Sequence, residues 1–289
     1  MKSGEAVLLL KVPRNKTALM QHLQLLVMRR HYWWCGGIID TSKLASFAAK
    51  MAIRYPVTRT ARGRTYDRAR GRAAVHFVVF PLTENKVAWW LLSDEGKGGL
   101  NDPKSLDAHI AKNAMASDGH IFFIDYVLLY AHKKDARKVL DAKTGKEKLV
   151  LKDRSTWTWK MTDAALNEVK AAIERAVANL DYGDEGGSGR RPRGVLGILA
   201  CQRSRPLFSG VRTQAIALHR HADTHWGRVK KKWQGLHSAN IALDGERLGE
   251  LRNLKGIMSQ HLPKMPRVAV YGDTPTTIGD IVSSESRLH

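Results

Sequence analysis

Between Arg54 and Arg72 the chain places seven arginines (Arg54, Arg59, Arg62, Arg64, Arg68, Arg70 and Arg72) against a single acid, Asp67. A segment with so little counter-charge cannot serve as an apolar core element, because a guanidinium taken out of water needs a partner. The stretch therefore predicts an exposed arginine-rich loop. Within it Ala-Arg-Gly-Arg occurs twice, at Ala61–Arg64 and Ala69–Arg72. Glycine beside arginine lets a guanidinium fork and a bare backbone approach a phosphate together, so the expected partner is a polyanion. The plainer alternative is a solvated charge run with no specific partner.

The rest of the chain is also basic, with 48 Lys and Arg against 27 Asp and Glu over 289 residues, a formal charge of +21. That excess suits nucleic acid or an anionic membrane surface. No run approaches the roughly 18 apolar residues of a membrane span. The short apolar run Ala6–Leu10 is followed by charge and Pro13 without a signal-peptide cleavage pattern. The expectation is a cytoplasmic protein with no membrane partner. Cys35 and Cys201 are far apart in sequence, which fits a reducing compartment and offers neither a disulfide framework nor a cysteine-based zinc site.

Composition shifts at Asp181–Gly194, where acids, glycines, Ser188 and Pro192 crowd together as in a linker. The predicted organisation is an α+β domain over residues 1–180, a linker over 181–194 and a smaller, basic, mainly helical domain over 195–289. Residues 190–289 hold 17 Lys and Arg against 7 Asp and Glu, so this part is the more basic per residue.

In the first region, Glu5–Val12 reads as a strand, Thr17–Arg30 as a helix, Tyr32–Ile39 as a strand, and Asp40 or Thr41 as the cap of a helix through Ile53. Ala73–Phe80 and Val87–Leu92 form a predicted hairpin. Ile121–Ala131 and Ser155–Met161 read as strands, and Thr162 or Asp163 caps a helix to Leu180 with Ala165, Leu166, Val169, Ile173 and Val177 inward. Helices covering a largely antiparallel sheet are the expected architecture.

In the second region, Ala215, Leu218, Ala222, Trp226, Val229 and Trp233 repeat at helical spacing between Val211 and Trp233. One flank of that helix carries His221, His225, Arg228 and Lys232, and its neighbour carries Arg220, Thr224 and Lys231, a basic surface suited to a phosphate backbone. Arg247–His261, with Leu248, Leu251, Leu254, Ile257 and Met258, is a predicted partner helix.

His221 and His225 have the i, i+4 spacing that zinc uses, but the sequence shows no third ligand, and Ala222, Asp223 and Thr224 stand where a zinc hydrolase needs glutamate. No metal and no cofactor is therefore expected. The glycine-rich loop Asp94–Gly99 lacks the spacing of a phosphate-binding P-loop. Its acids, with Asp102 and Asp107, offer a weaker case for a divalent ion, and no activated serine or cysteine is evident.

Tyr32, Trp33, Trp34, Trp89, Trp90, Trp157 and Trp159 all fall on predicted strands. Tryptophans on strands commonly fill a core. One ring of each adjacent pair, Trp33 or Trp34 and Trp89 or Trp90, is expected to face outward, where bases can stack. The expected function is nucleic-acid binding through Arg59, Arg62, Arg64, Arg68, Arg70, Arg72, Arg220, His221, His225, Arg228, Lys231 and Lys232, with DNA or RNA as partner. Size and charge suit the replication, recombination or defence machinery of a plasmid or other bacterial mobile element. Two alternatives stay open: a metal-dependent or metal-free nuclease, and a subunit bound to other proteins in a nucleoprotein assembly.

Overall fold

A computed structural model of the chain describes residues 3–132, 134–140, 147–153, 155–179, 193–236 and 265–285, together with Gly145, Asp181, Gly183 and Leu262. The fold is α+β, with helices and antiparallel sheets. It divides into two compact units, one of Met1–Ile121, Leu128–Trp157 and Arg267–His289, the other of Phe122–Val127 and Thr158–Pro266. This differs from a cut at residues 181–194. The last segment returns to the first unit, where Val12 N–H donates to Thr276 O at 2.8 Å, Arg14 N–H to Val270 O at 3.0 Å and Val268 N–H to Gln21 Oε1 at 3.0 Å. Backbone bonds of Val270, Thr276 and Ile278 to Arg14, Val12 and Leu10 join this last segment to the N-terminal region, a return that local composition does not signal.

In the first unit, β1 (Trp33–Asp40), β2 (Val75–Thr83), β3 (Lys86–Ser93) and the short β4 (Lys112–Asn113) form an antiparallel sheet in the order β2-β3-β1-β4. The β2–β3 hairpin is tight, and both strands read as near-continuous apolar runs because the sheet is buried widely: Val75, Phe77, Val78, Val79, Val87, Ala88, Trp90, Leu91 and Leu92 are all core residues. Leu44, Ala48 and Met51 of α3 (Leu44–Arg54) pack on one part of this core with Val7 of α1 (Ser3–Leu8) and Ile278 and Ile281 of α8 (Ile278–Glu285). The predicted strand at Glu5–Val12 is thus a helix at its start; a five-residue apolar run does not distinguish the two, and burial of Val7 against α3 decides. α2 (Lys16–Met28) starts where the Asn15 side chain accepts from Ala18 N–H, and it buries Leu19, Met20, Leu23, Leu26 and Val27.

Gly36 of β1 stands opposite Trp90 of β3, and the close approach explains the glycine: a Cβ there would lie 2.7 Å from Trp89 O and 3.2 Å from Trp90 Cδ1. Gly36→Ala is expected to lower unfolding free energy by about 1–3 kcal/mol, read as a lower midpoint in urea with an unchanged slope.

The second unit includes α5 (Asp163–Ala178), α6 (Gly194–Arg203) and α7 (Ser209–Leu236). The Thr162 hydroxyl caps α5 by accepting from Ala165 N–H. Ala165, Val169, Ile173 and Val177 of α5 meet Leu218, Ala222 and Trp226 of α7 and Val195 and Leu199 of α6 in one core; the α5 and α7 stripes are those that the sequence predicts. Gln214 ties α7 to β9 (Thr156–Met161), accepting from Met161 N–H at 2.7 Å and donating to Met161 O at 3.1 Å. The chain also forms β5 (Ile121–Phe123), β6 (Tyr126–Ala131) and a hairpin of β7 (Lys134–Leu140) with β8 (Glu147–Asp153). The apolar run from Ile121 to Ala131 breaks at Ile124, whose φ of 52° ends β5. The helix expected over Arg247–His261 lies outside the described residues.

Candidate functional site

The arginine-rich segment is folded. Residues Ala61–Ala69 form α4, capped by Thr60, whose side chain accepts from Gly63 N–H at 3.1 Å. The cap and the single acid together explain why a helix forms where net charge predicts a loop. Asp67 is 3% exposed and lies beneath the arginines, where Arg72 grips it through Nε at 3.0 Å and through Nη2, and Arg59 approaches at 3.4 Å. Asp94, just beyond β3, accepts from Arg68 Nε and from Ala74 N–H at 2.6 Å. Arg59, Arg68 and Arg72 are therefore committed to acids within the fold. Arg62, Arg64 and Arg70 pair with no carboxylate among the described residues. Arg70 lies 3.6 Å above the ring of Tyr66, which is 54% exposed.

Next to α4 the first unit gathers three histidines from three places. His22 belongs to α2, His31 follows it and His76 opens on β2. His31 is buried; its Nδ1–H donates to Leu26 O at 3.0 Å, leaving Nε2 to accept from Arg68 Nη2 at 2.9 Å, so this network assigns the neutral Nδ1–H tautomer. The rings of His31 and His76 meet edge to face with centroids 4.6 Å apart. Tyr271, carried in by the returning C-terminal segment, has its ring centroid 6.1 Å from that of His22.

The electrostatics are those of a crowded cationic site with few acids. Burial, then the charge of Arg29 and Arg64, pushes His22 down to about 4. Burial, then the neighbouring His31 and Arg64, pushes His76 down to about 2. Burial also lowers His31, against the opposing pull of its Leu26 hydrogen bond and of Asp94. Arg64 itself is lowered by desolvation and by Arg68, while Tyr271 is raised by burial. All three histidines are held neutral at physiological pH, and Arg64 is a half-buried cation short of counter-charge. A negatively charged group arriving here relieves repulsion that the free protein carries.

The structure sorts the sequence-derived residues. Arg220, Arg228 and Lys231 are exposed on α7 as expected, and the side chain of Lys232 lies outside the described residues. His221 and His225 turn to Glu174 of α5, with His221 Nε2 3.0 Å from its Oε1, so they line the α5–α7 seam rather than an open phosphate-facing flank. His219 is buried and its Nδ1–H donates to Ala215 O, 2.7 Å away, as a core histidine does. Trp34 and Trp90 are buried, the indole N–H of Trp34 donating to Gly119 O at 2.7 Å. Trp33 and Trp89 pack against the core on the α3 side, Trp89 with its ring centroid 4.7 Å from that of Phe47. Of the four candidate rings, Trp34 and Trp90 are buried and Trp33 and Trp89 are half-buried.

Sequence reasoning missed His22, His31, His76, Tyr66 and Tyr271. Tyr66, an aromatic amid arginines in the same short segment, was the one with a local signal; the others meet only through tertiary contact. No protein-family model, curated protein or solved structure matches the chain.

Proposed function

We propose that this chain binds nucleic acid, with the α4 region of its first unit as a grip on the phosphate backbone. The observation that carries the reading is the division of labour among the arginines. Arg59, Arg68 and Arg72 hold α4 in place on Asp67 and Asp94, and Arg62, Arg64 and Arg70 keep their charge for an external anion. Exposed Tyr66 beside Arg70 adds a flat apolar surface for a base or sugar. The exposed Arg220, Arg228 and Lys231 of α7 give the second unit a basic surface of its own. Among the described residues no helix is long and apolar enough to cross a membrane.

The neutral histidines beside arginine favour one second reading, a metal-free nuclease. Imidazole can move protons and guanidinium can hold the phosphate. The magnitudes weigh against it, because a base held near 4 or 2 is a weak proton acceptor at pH 7. Fluorescence anisotropy with labelled single-stranded DNA, duplex DNA and RNA across a salt series, followed by a denaturing gel with and without magnesium, tests both. Salt-sensitive binding of intact strands supports the binding protein. Cleavage without magnesium puts the nuclease first, and no binding at low salt overturns the assignment to nucleic acid.

A further inference from the structure

The second unit contains a side-chain cluster that nucleic-acid binding does not use. His221 and His225 are one turn apart on α7, with ring centroids 4.3 Å apart, and Glu174 of α5 faces both. His221 Nε2 is 3.0 Å and His225 Nε2 is 3.9 Å from the same oxygen, Glu174 Oε1. One donor atom from each of the three lies within 4.8 Å of the others. A four-coordinate ion with bonds of about 2.0–2.1 Å sets its ligand atoms roughly 3.3 Å apart, so only small side-chain adjustments separate this cluster from a ligand set.

The backbone beneath the cluster is fixed. Each candidate ligand is the chain neighbour of a core residue: Glu174 of Ile173, His221 of Ala222 and His225 of Trp226, all three buried in the same α5–α6–α7 core. The three polar side chains are held on facing helices and are partly exposed, at 49%, 23% and 32%, which leaves room for a water ligand. Two imidazoles and one carboxylate suit zinc or cobalt better than magnesium or calcium, which prefer all-oxygen sets.

We propose that Glu174, His221 and His225 hold one zinc-class divalent ion that clips α5 to α7 and keeps a fourth position for water. The sequence offers only the histidine pair; the third donor stands 47 residues before His221 and is supplied by helix packing. A plain ion pair between Glu174 and the histidines is the competing account.

Cobalt titrated into the untagged 289-residue chain separates the two. The expected result is one equivalent bound, with the strong visible absorption of a four-coordinate cobalt site, displaced by zinc. Glu174→Gln and His221→Ala should each weaken binding by more than the roughly 10–100-fold that follows loss of a mere supporting partner. Zinc should raise the melting temperature of the wild type and leave that of His225→Ala unmoved, and the partial exposure of these side chains makes the variants compatible with folding. No saturable cobalt absorption, or binding unchanged in a His221→Ala/His225→Ala double variant, overturns the proposal.

Discussion

Replacing Arg62, Arg64 and Arg70 together by alanine should weaken oligonucleotide binding by about a hundredfold or more at moderate salt, and should flatten the plot of log affinity against log salt by about two to three units. Each arginine that neutralises a phosphate releases condensed counterions, so removing three contacts removes close to three units of slope. These three are chosen because no acid in the described structure holds them. Their loss should leave the fold largely intact. Arg72→Ala makes the contrast: it strips the closest partner from buried Asp67, so it should cost about 2 kcal/mol of stability, less than a fully buried pair because the arginine is 45% exposed. Anisotropy across salt, paired with urea unfolding of each variant, distinguishes the two classes. An unchanged slope in the triple variant would remove α4 from the interface.

Acidification should destabilise the protein steeply between pH 6.5 and 5. His22 and His76 titrate near 6.5 when unfolded, but in the fold burial among arginines pushes them down to about 4 and about 2. Below pH 6.5 the unfolded chain therefore binds protons that the folded chain refuses, and stability falls with pH until each folded value is reached. At about 1.4 kcal/mol per pH unit per group, the two histidines account for a loss of roughly 4 kcal/mol by pH 5. By pH 7.5 they contribute little slope. Urea unfolding at pH 7.5 and 5 measures the loss. A His22→Gln/His76→Gln variant should lose most of that difference relative to its own value at pH 7.5; an equal difference in the variant would show that other groups set the acid response.

The parts of the fold that were legible share a feature: their signals are local and periodic. The 3.6-residue stripes of α2, α5 and α7 and the β2–β3 hairpin announce themselves through neighbours within a few positions, and Thr162 caps α5 as its residue type suggests. Where two local structures were equally good, the sequence chose wrongly or not at all. The apolar run Ala6–Leu10 fits a strand or a helix, and Val7 becomes helical by packing under α3. The arginine segment fits a loop or a helix, and burial of Asp67 between Arg59 and Arg72 makes it α4.

The sequence by itself determined that this protein carries a net charge of +21, with its densest run of arginines at Arg54–Arg72, because charge survives any fold. Tertiary structure alone decided which arginines are available, since a guanidinium held by Asp67 or Asp94 differs from its neighbour only through a contact made in space. It also decided that His22, His31 and His76 converge beside α4 and that Glu174 joins His221 and His225. Those groupings unite residues tens of positions apart, and their chemistry arises from desolvation and mutual charge, which exist only once the chain has packed.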